Sequence, residues 1–104
     1  MKEANPFYKS AKWERVRSRI LRRDKYQCQE SRRYGKMRQA TTVHHIFPLT
    51  DYPEYAYEPW NLISLCAEAH NAMHDRTTGG LSEAGKELLW RTATKRGIEC
   101  DSGI

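Results

Sequence analysis

The sequence predicts a small α+β protein in which a basic helix comes first, two short strands follow and two further helices complete the chain. Three observations carry this prediction: an apolar stripe at helical spacing near the N-terminus, two strand-like runs in the middle, and a final segment framed by Ser82 and Gly97. At 104 residues the chain is long enough for one domain and too short for two. We therefore expect a single domain over residues 1–104.

The first element is predicted to be a helix over about residues 12–25. Ser10 is a suitable N-cap, and Trp13, Val16 and Ile20 recur at the spacing of one helical face. The other faces of this helix are rich in arginine. We expect a stripe of apolar side chains to be buried and the arginines to face outward.

The charge of the chain is concentrated at its start. Residues 1–40 hold 13 Lys and Arg against 4 Asp and Glu, although the net charge of the whole chain is only +5. Such a segment is typical of a protein that binds a polyanion, and solvation of a helix surface is the alternative interpretation. The candidate phosphate contacts are Arg15, Arg19, Arg22, Arg23 and Arg76.

The middle of the chain predicts two strands followed by helices. Residues 41–47 are β-branched and apolar as far as Pro48, and residues 60–66 form a second apolar run. A helix is expected over about 67–76, before a glycine pair, and a last helix over about 82–96. Residues 32–38 read as a basic turn centred on a glycine.

All four histidines of the chain fall between residues 44 and 74. His70 and His74 are four residues apart, so on a helix they share one face and can hold a metal ion or a phosphate together. His44 and His45 are adjacent on a predicted strand, so their side chains point to opposite faces. One of these imidazoles can then bind a metal while the other acts as a base.

This order of residues resembles the motif of the HNH endonuclease family. The motif consists of Val43-His44-His45-Ile46-Phe47-Pro48, then Asn61-Leu62-Ile63-Ser64-Leu65-Cys66, then His70. The resemblance spans about residues 28–76 and implies a ββα-metal core over about 41–76, in which two antiparallel strands and a helix hold one divalent ion. The separations of the histidines and the asparagine are similar to those of colicin-type nucleases. The length of the chain and its basic leading helix resemble small phage-encoded HNH proteins.

The resemblance implies a role for each motif residue. His44 and His70 would be metal ligands, and His74 would bind the metal or face the scissile phosphate. His45 would be the general base that takes a proton from the attacking water. Asn61 would tie the loop between the strands and so keep His45 oriented.

The ligand set also bears on the metal. Imidazole nitrogens favour Mn²⁺, Co²⁺, Ni²⁺ or Zn²⁺ over Mg²⁺. We expect Mn²⁺ or Ni²⁺ to support activity best, Mg²⁺ or Co²⁺ to substitute, and Zn²⁺ to bind and inhibit.

Many HNH proteins carry a structural zinc held by two Cys-x-x-Cys pairs, but here Cys28 and Cys66 each lack the second cysteine. Two thiolates do not close a tetrahedral site. We therefore expect no structural zinc and predict that Cys28 and Cys66 are neighbouring buried thiols. Packing by Trp13, Trp60 and Trp90 is expected to replace the missing stability.

Together these features and the resemblance predict a metal-dependent DNA endonuclease that is encoded by a phage or prophage. The resemblance implies that it leaves 5′-phosphate and 3′-hydroxyl ends. Two alternatives stay open: a non-catalytic DNA-binding module on the same fold, and a colicin-like toxin nuclease domain. No apolar run approaches the length of a membrane span, and neither a secretory signal nor an even cysteine count is present. We expect DNA and phage packaging proteins as partners and the host-cell cytoplasm as the location. The sequence does not indicate an oligomeric state.

Overall fold

The computed structural model describes residues 6–98, and the elements in this range follow the predicted order with one addition. The elements are helix α1 (Ala11–Arg23), helix α2 (Gln29–Arg33), strand β1 (Thr42–His45), strand β2 (Leu62–Leu65), helix α3 (Ala67–Ala72) and helix α4 (Glu83–Arg96). Helix α2 is the addition, and the predicted basic turn follows it, with Gly35 at φ +75°. Cys100 lies outside the described residues.

The two strands form an antiparallel pair. Thr42 pairs with Leu65 and His45 pairs with Leu62. The connection between the strands contains two short 3₁₀ helices, Pro53–Tyr55 and Pro59–Asn61. Because side chains alternate along a strand, the pairing sends the side chains of His44 and His45 to opposite faces.

Helix α3 ends at Ala72, four residues before the predicted end. Ser82 forms hydrogen bonds with the carbonyl groups that would accept from the next turn of a longer helix. Its hydroxyl donates to the carbonyl of Ala72, and its backbone N–H donates to the carbonyl of Met73 at 2.9 Å. An isolated antiparallel bridge between His74 and Leu81 joins the same two segments. The start of α4 is thereby held next to the end of α3.

Two hydrophobic clusters sandwich the strand pair. The first contains Phe47, Leu65, Met73 and Leu88 and lies between the strands, α3 and α4. Trp60 and Trp90 are partly buried against this cluster.

The second cluster lies between α1 and the strands and contains Trp13, Ile20, Val43 and Leu62. The three tryptophans therefore pack on both sides of the strands. That this packing replaces the stability of a zinc site stays a prediction. Among residues 6–98, no helix is long and apolar enough to cross a membrane. The architecture is the α+β, ββα arrangement that the sequence predicted.

Candidate metal centre and the histidine beside it

Three histidines converge at one end of the strand pair. His44 comes from β1, His70 from α3 and His74 from the turn after α3. One ring nitrogen of each lies within 4.8 Å of the others, and the Nε2 atoms of His70 and His74 are 3.3 Å apart. Nitrogens that share one ion at the usual bond length of about 2.1 Å lie about 3.0–3.4 Å apart, so the distance between His70 and His74 suits a common cation.

The electrostatics of the three imidazoles also fit a cation. Burial, together with the neighbouring histidines, lowers the pKa of His44 to about 3. Burial lowers the pKa values of His70 and His74 too, and His74 adds to the effect on His70. All three rings are therefore neutral near pH 7, which is the form that ligates a metal.

His44 has the feature that points most specifically to a metal ligand, a buried ring nitrogen without a hydrogen-bond partner among residues 6–98. Its side chain is only 2% exposed, and its Nε2 atom has no hydrogen-bond partner among residues 6–98. An unpaired buried nitrogen is costly, and native proteins pair nearly all such groups. The three histidines therefore fit a single divalent ion that would complete the contacts of this nitrogen.

His45 lies on the other face of β1, and its ring is oriented by the backbone. Its Nε2 is 3.0 Å from the carbonyl oxygen of Ala56. Because a carbonyl only accepts hydrogen bonds, Nε2 carries the proton and Nδ1 holds the lone pair. Burial lowers the pKa of His45, although the bond to Ala56 acts in the opposite direction. The ring is therefore neutral and able to accept a proton at Nδ1.

Asn61 holds the loop that carries this carbonyl. Its side chain is fully buried, and its Oδ1 accepts from the backbone N–H of Phe47 at 2.7 Å. Its Nδ2 donates to the carbonyls of Phe47 and Tyr55, at 3.2 Å each. Tyr55 directly precedes Ala56, so the amide of Asn61 fixes the backbone that orients His45.

A cleft of about 1320 Å³ runs over these histidines. His44, His45, His70 and His74 all line it, together with the basic side chains Arg17 and Lys86. Neither of these cations is among the phosphate contacts predicted from the sequence. For Arg17 a signal was present, because it lies one helical turn after Trp13 on the same face of α1.

The arginines proposed from the sequence lie elsewhere. Arg15, Arg19 and Arg22 line a separate shallow groove on α1. The guanidinium of Arg23 is bound to the Asp24 carboxylate and to the carbonyls of Pro59 and Leu62. Arg76 is exposed and does not line the cleft. The structure thus groups the predicted histidines and Asn61 but not the predicted arginines.

The two cysteines of the described residues are free and buried, and they are hydrogen-bonded neighbours, which confirms their predicted placement. The Cys28 sulfur accepts from the backbone N–H of Ser31, and the Cys66 sulfur accepts from that of Ala69. Burial raises the pKa of the Cys28 thiol, but hydrogen bonds from Ser31 and Cys66 outweigh it, and the net pKa lies below its ordinary value. The thiols cap the first turns of α2 and α3.

The family profile and the solved structure that match this chain both describe HNH endonucleases. The profile of the family described as HNH endonuclease matches residues 28–76. A solved structure that is similar to this chain is the crystal structure of the deep-sea thermophilic bacteriophage GVE2 HNH endonuclease with manganese ion. The two sequences are 40% identical, and the two structures align with a TM-score of 0.61. The match covers 62% of this chain and 71% of that chain. No curated protein matches the sequence. With its motif residues in a ββα arrangement and this degree of identity to a solved relative, the chain belongs to the HNH endonuclease family and is a nuclease of the hydrolase class.

Proposed function

We propose that the protein is a DNA endonuclease that works with one divalent metal ion held by His44, His70 and His74, and with His45 as the general base. The observation that carries this proposal is the convergence of three neutral imidazoles within 4.8 Å, one of which has a buried and unpaired Nε2. A bound ion would stabilise negative charge on the phosphorane and on the departing 3′ oxygen.

The residues of the chain carry the other steps. His45 takes the proton of the attacking water at Nδ1, because Ala56 holds the other ring nitrogen in its protonated form. Asn61 keeps that orientation through the loop. Attack on the phosphorus from the side opposite the 3′ oxygen leaves 5′-phosphate and 3′-hydroxyl ends.

The metal assignment in this proposal follows the chemistry of imidazole. Nitrogen ligands favour Mn²⁺ or Ni²⁺, and Mg²⁺ and Co²⁺ would be weaker substitutes. Zn²⁺ would bind tightly and inhibit. The GVE2 relative was crystallised with manganese, which supports the choice of Mn²⁺. That the chain binds no structural zinc stays a prediction.

The proposed DNA surface is the cleft, with Arg17 and Lys86 as phosphate contacts close to the histidines. Arg15, Arg19, Arg22 and Arg76 would serve as outer contacts that strengthen binding through charge. A phage or prophage origin, action in the host cytoplasm and packaging proteins as partners complete the proposal, and the phage source of the relative supports them.

Plasmid relaxation tests the proposal. The wild type is expected to relax supercoiled DNA with Mn²⁺, whereas His45→Ala is expected to be inactive and still to bind Mn²⁺ in calorimetry. His70→Ala is expected to lose both properties. A wild type that is inert with Mn²⁺, Ni²⁺, Co²⁺ and Mg²⁺ contradicts the enzyme and favours the non-catalytic DNA-binding module; full activity of His45→Ala contradicts the assigned base.

A colicin-like toxin domain is the second alternative, and an acidic immunity partner would distinguish it. No observation on the described residues favours it over a stand-alone nuclease.

A further inference from the structure

Tyr8 lies outside the machinery described above, yet its hydroxyl is 3.4 Å from Nδ1 of His45. It belongs to the 3₁₀ helix Pro6–Lys9 and is 37 residues away from His45 in sequence. Since Nε2 of His45 carries the proton, Nδ1 can only accept, and the phenol donates in this contact. Tyr8 therefore meets the atom that must receive the proton of the attacking water.

The hydroxyl of Tyr8 is held in place by packing. Its ring contacts the rings of Phe7 and Trp13, with centroid distances of 5.2 and 5.5 Å. Ser10 joins this turn to α1, because its hydroxyl donates to the carbonyl of Phe7 and accepts from the N–H of Trp13. Tyr8 is nevertheless 45% exposed and lines the cleft. It is thus a fixed hydroxyl that is open to substrate on one side.

The distance between Nδ1 and the phenol oxygen allows a third atom beside them to contact both. At 3.4 Å it is longer than an ordinary hydrogen bond, which for an O–H donor is about 2.8 Å. A water oxygen about 2.9 Å from both Nδ1 and the phenol oxygen completes a triangle with normal hydrogen-bond lengths. Nδ1 of His45 and the phenol oxygen of Tyr8 can therefore bind one water molecule together.

We propose that Tyr8 is a further catalytic residue, which holds the attacking water together with His45. This inference rests on the proposed function. The water takes the place of the Tyr8 hydroxyl at the single lone pair of Nδ1. One hydrogen of the water is donated to Nδ1 of His45 and the other to the oxygen of Tyr8, so that a lone pair of the water faces the phosphorus. As the new O–P bond forms, the first proton passes to His45, the bond from phosphorus to the 3′ oxygen breaks, and that oxygen takes a proton from solvent water.

Tyr8 keeps its own proton throughout this step. Burial raises the pKa of the phenol, which agrees with a neutral hydroxyl at working pH. The role is therefore to orient the water, and the side chain neither gains nor loses charge.

The first test is the rate of DNA cleavage with Mn²⁺ by Tyr8→Phe. The matched control is Tyr57→Phe, which removes a hydroxyl from another ring that packs on Phe7. We expect kcat of Tyr8→Phe to fall about tenfold, the loss of one hydrogen bond to a reacting group, with KM for DNA unchanged. Tyr57→Phe is expected to behave as the wild type. An unchanged kcat of Tyr8→Phe overturns the proposal, and so does an increased kcat, which would mean that the hydroxyl obstructs the base.

A second measurement is independent of activity. Ring ¹⁵N NMR of the metal-free protein near pH 8, where imidazoles are neutral, reports the hydrogen bond at Nδ1 of His45. We expect this resonance to move in Tyr8→Phe and to stay in place in Tyr57→Phe; a resonance that does not move overturns the inference about Tyr8 and leaves the proposed function intact. A wild type that cuts no DNA with any of the four metals overturns the proposed function, and the inference falls with it.

Discussion

The indole ring of Trp13 stacks on the imidazole of His45, with the ring centroids 5.0 Å apart and the planes inclined by 23°. This contact joins the basic helix α1 to the proposed catalytic histidine. One helical turn further, Arg17 reaches the cleft and donates to the carbonyl of Thr41. The same face of α1 therefore supports His45 and places in the cleft the guanidinium of Arg17, which also lies 3.5 Å from the carboxylate of Glu14.

The first prediction concerns that cation. Arg17→Gln is expected to weaken DNA binding about tenfold at moderate salt and to lower the salt dependence by about one released counterion. Titration of a labelled duplex at several salt concentrations measures both quantities. Arg19→Gln removes the same charge from the same helix outside the cleft and is expected to have a smaller effect. Equal losses in the two variants would show that α1 acts only through its total charge.

The second prediction concerns Asn61. Asn61→Ala removes three hydrogen bonds to the backbone and leaves the N–H and the carbonyl of Phe47 without partners among residues 6–98. It is expected to lower the free energy of unfolding by about 3 kcal/mol. The cleavage rate should fall as well, because the Ala56 carbonyl loses its support, whereas the affinity for Mn²⁺ should change little. Urea denaturation and calorimetry measure these effects. Asn71→Ala, at an exposed position of α3, is the control and is expected to be near neutral. A large loss of metal affinity in Asn61→Ala would contradict the role in orientation.

The third prediction concerns acid stability of the metal-free protein. The pKa of His44 is about 3 in the folded state and about 6.5 in an unfolded chain, so below pH 6.5 the unfolded state binds the extra proton. The contribution of His44 to the free energy of unfolding is therefore fully present above about pH 6.5 and decreases as the pH falls below that value. From pH 6.5 to pH 5 the contribution of His44 is a loss of about 2 kcal/mol, and the lowered pKa values of the other histidines act in the same direction.

Urea denaturation with a chelator present, at several pH values, measures this slope. His44→Asn is expected to have a smaller slope than the wild type, whatever its stability at neutral pH. Equal slopes would mean that His44 is not the group that resists protonation.

The fourth prediction concerns the number of metal ions. The wild type is expected to bind one Zn²⁺ or Mn²⁺ per chain, His70→Ala none, and Cys28→Ser one. Elemental analysis after gel filtration measures these ratios. A second zinc in the wild type that disappears in Cys28→Ser would show that Cys28 and Cys66 still form a structural zinc site.

The residues of the candidate site could be predicted because most of their geometry is local. The alternation along β1 separates His44 from His45, and the four-residue spacing brings His74 beside His70. The end of α3 could not be predicted, because it depends on Ser82, which takes the carbonyl groups from a distant position in the chain. Helix α2 was missed because it spans only five residues, none of them buried, and so shows no apolar periodicity.

Tyr8 could not be predicted for a different reason. Its position against His45 depends on how the segment before α1 folds back over Trp13. No periodicity links residues that are 37 positions apart. The direction of the arginines could not be predicted either, because composition gives the sign of a surface charge and not the direction in which it points. Four arginines were therefore proposed on α1, whereas the cleft is lined by a fifth, Arg17.

The unpaired nitrogen of His44 has a further consequence for how the chain folds. The three imidazoles belong to a strand, a helix and the turn after it, all within 31 residues, so an ion held by them would tie these elements together like a short internal cross-link. Binding to the folded form alone adds about 1.4 kcal/mol of stability for each tenfold excess of ion over its dissociation constant. We therefore expect the melting temperature to rise with metal concentration. The metal ion would then stabilise the fold of a chain that is too small to bury a large hydrophobic core.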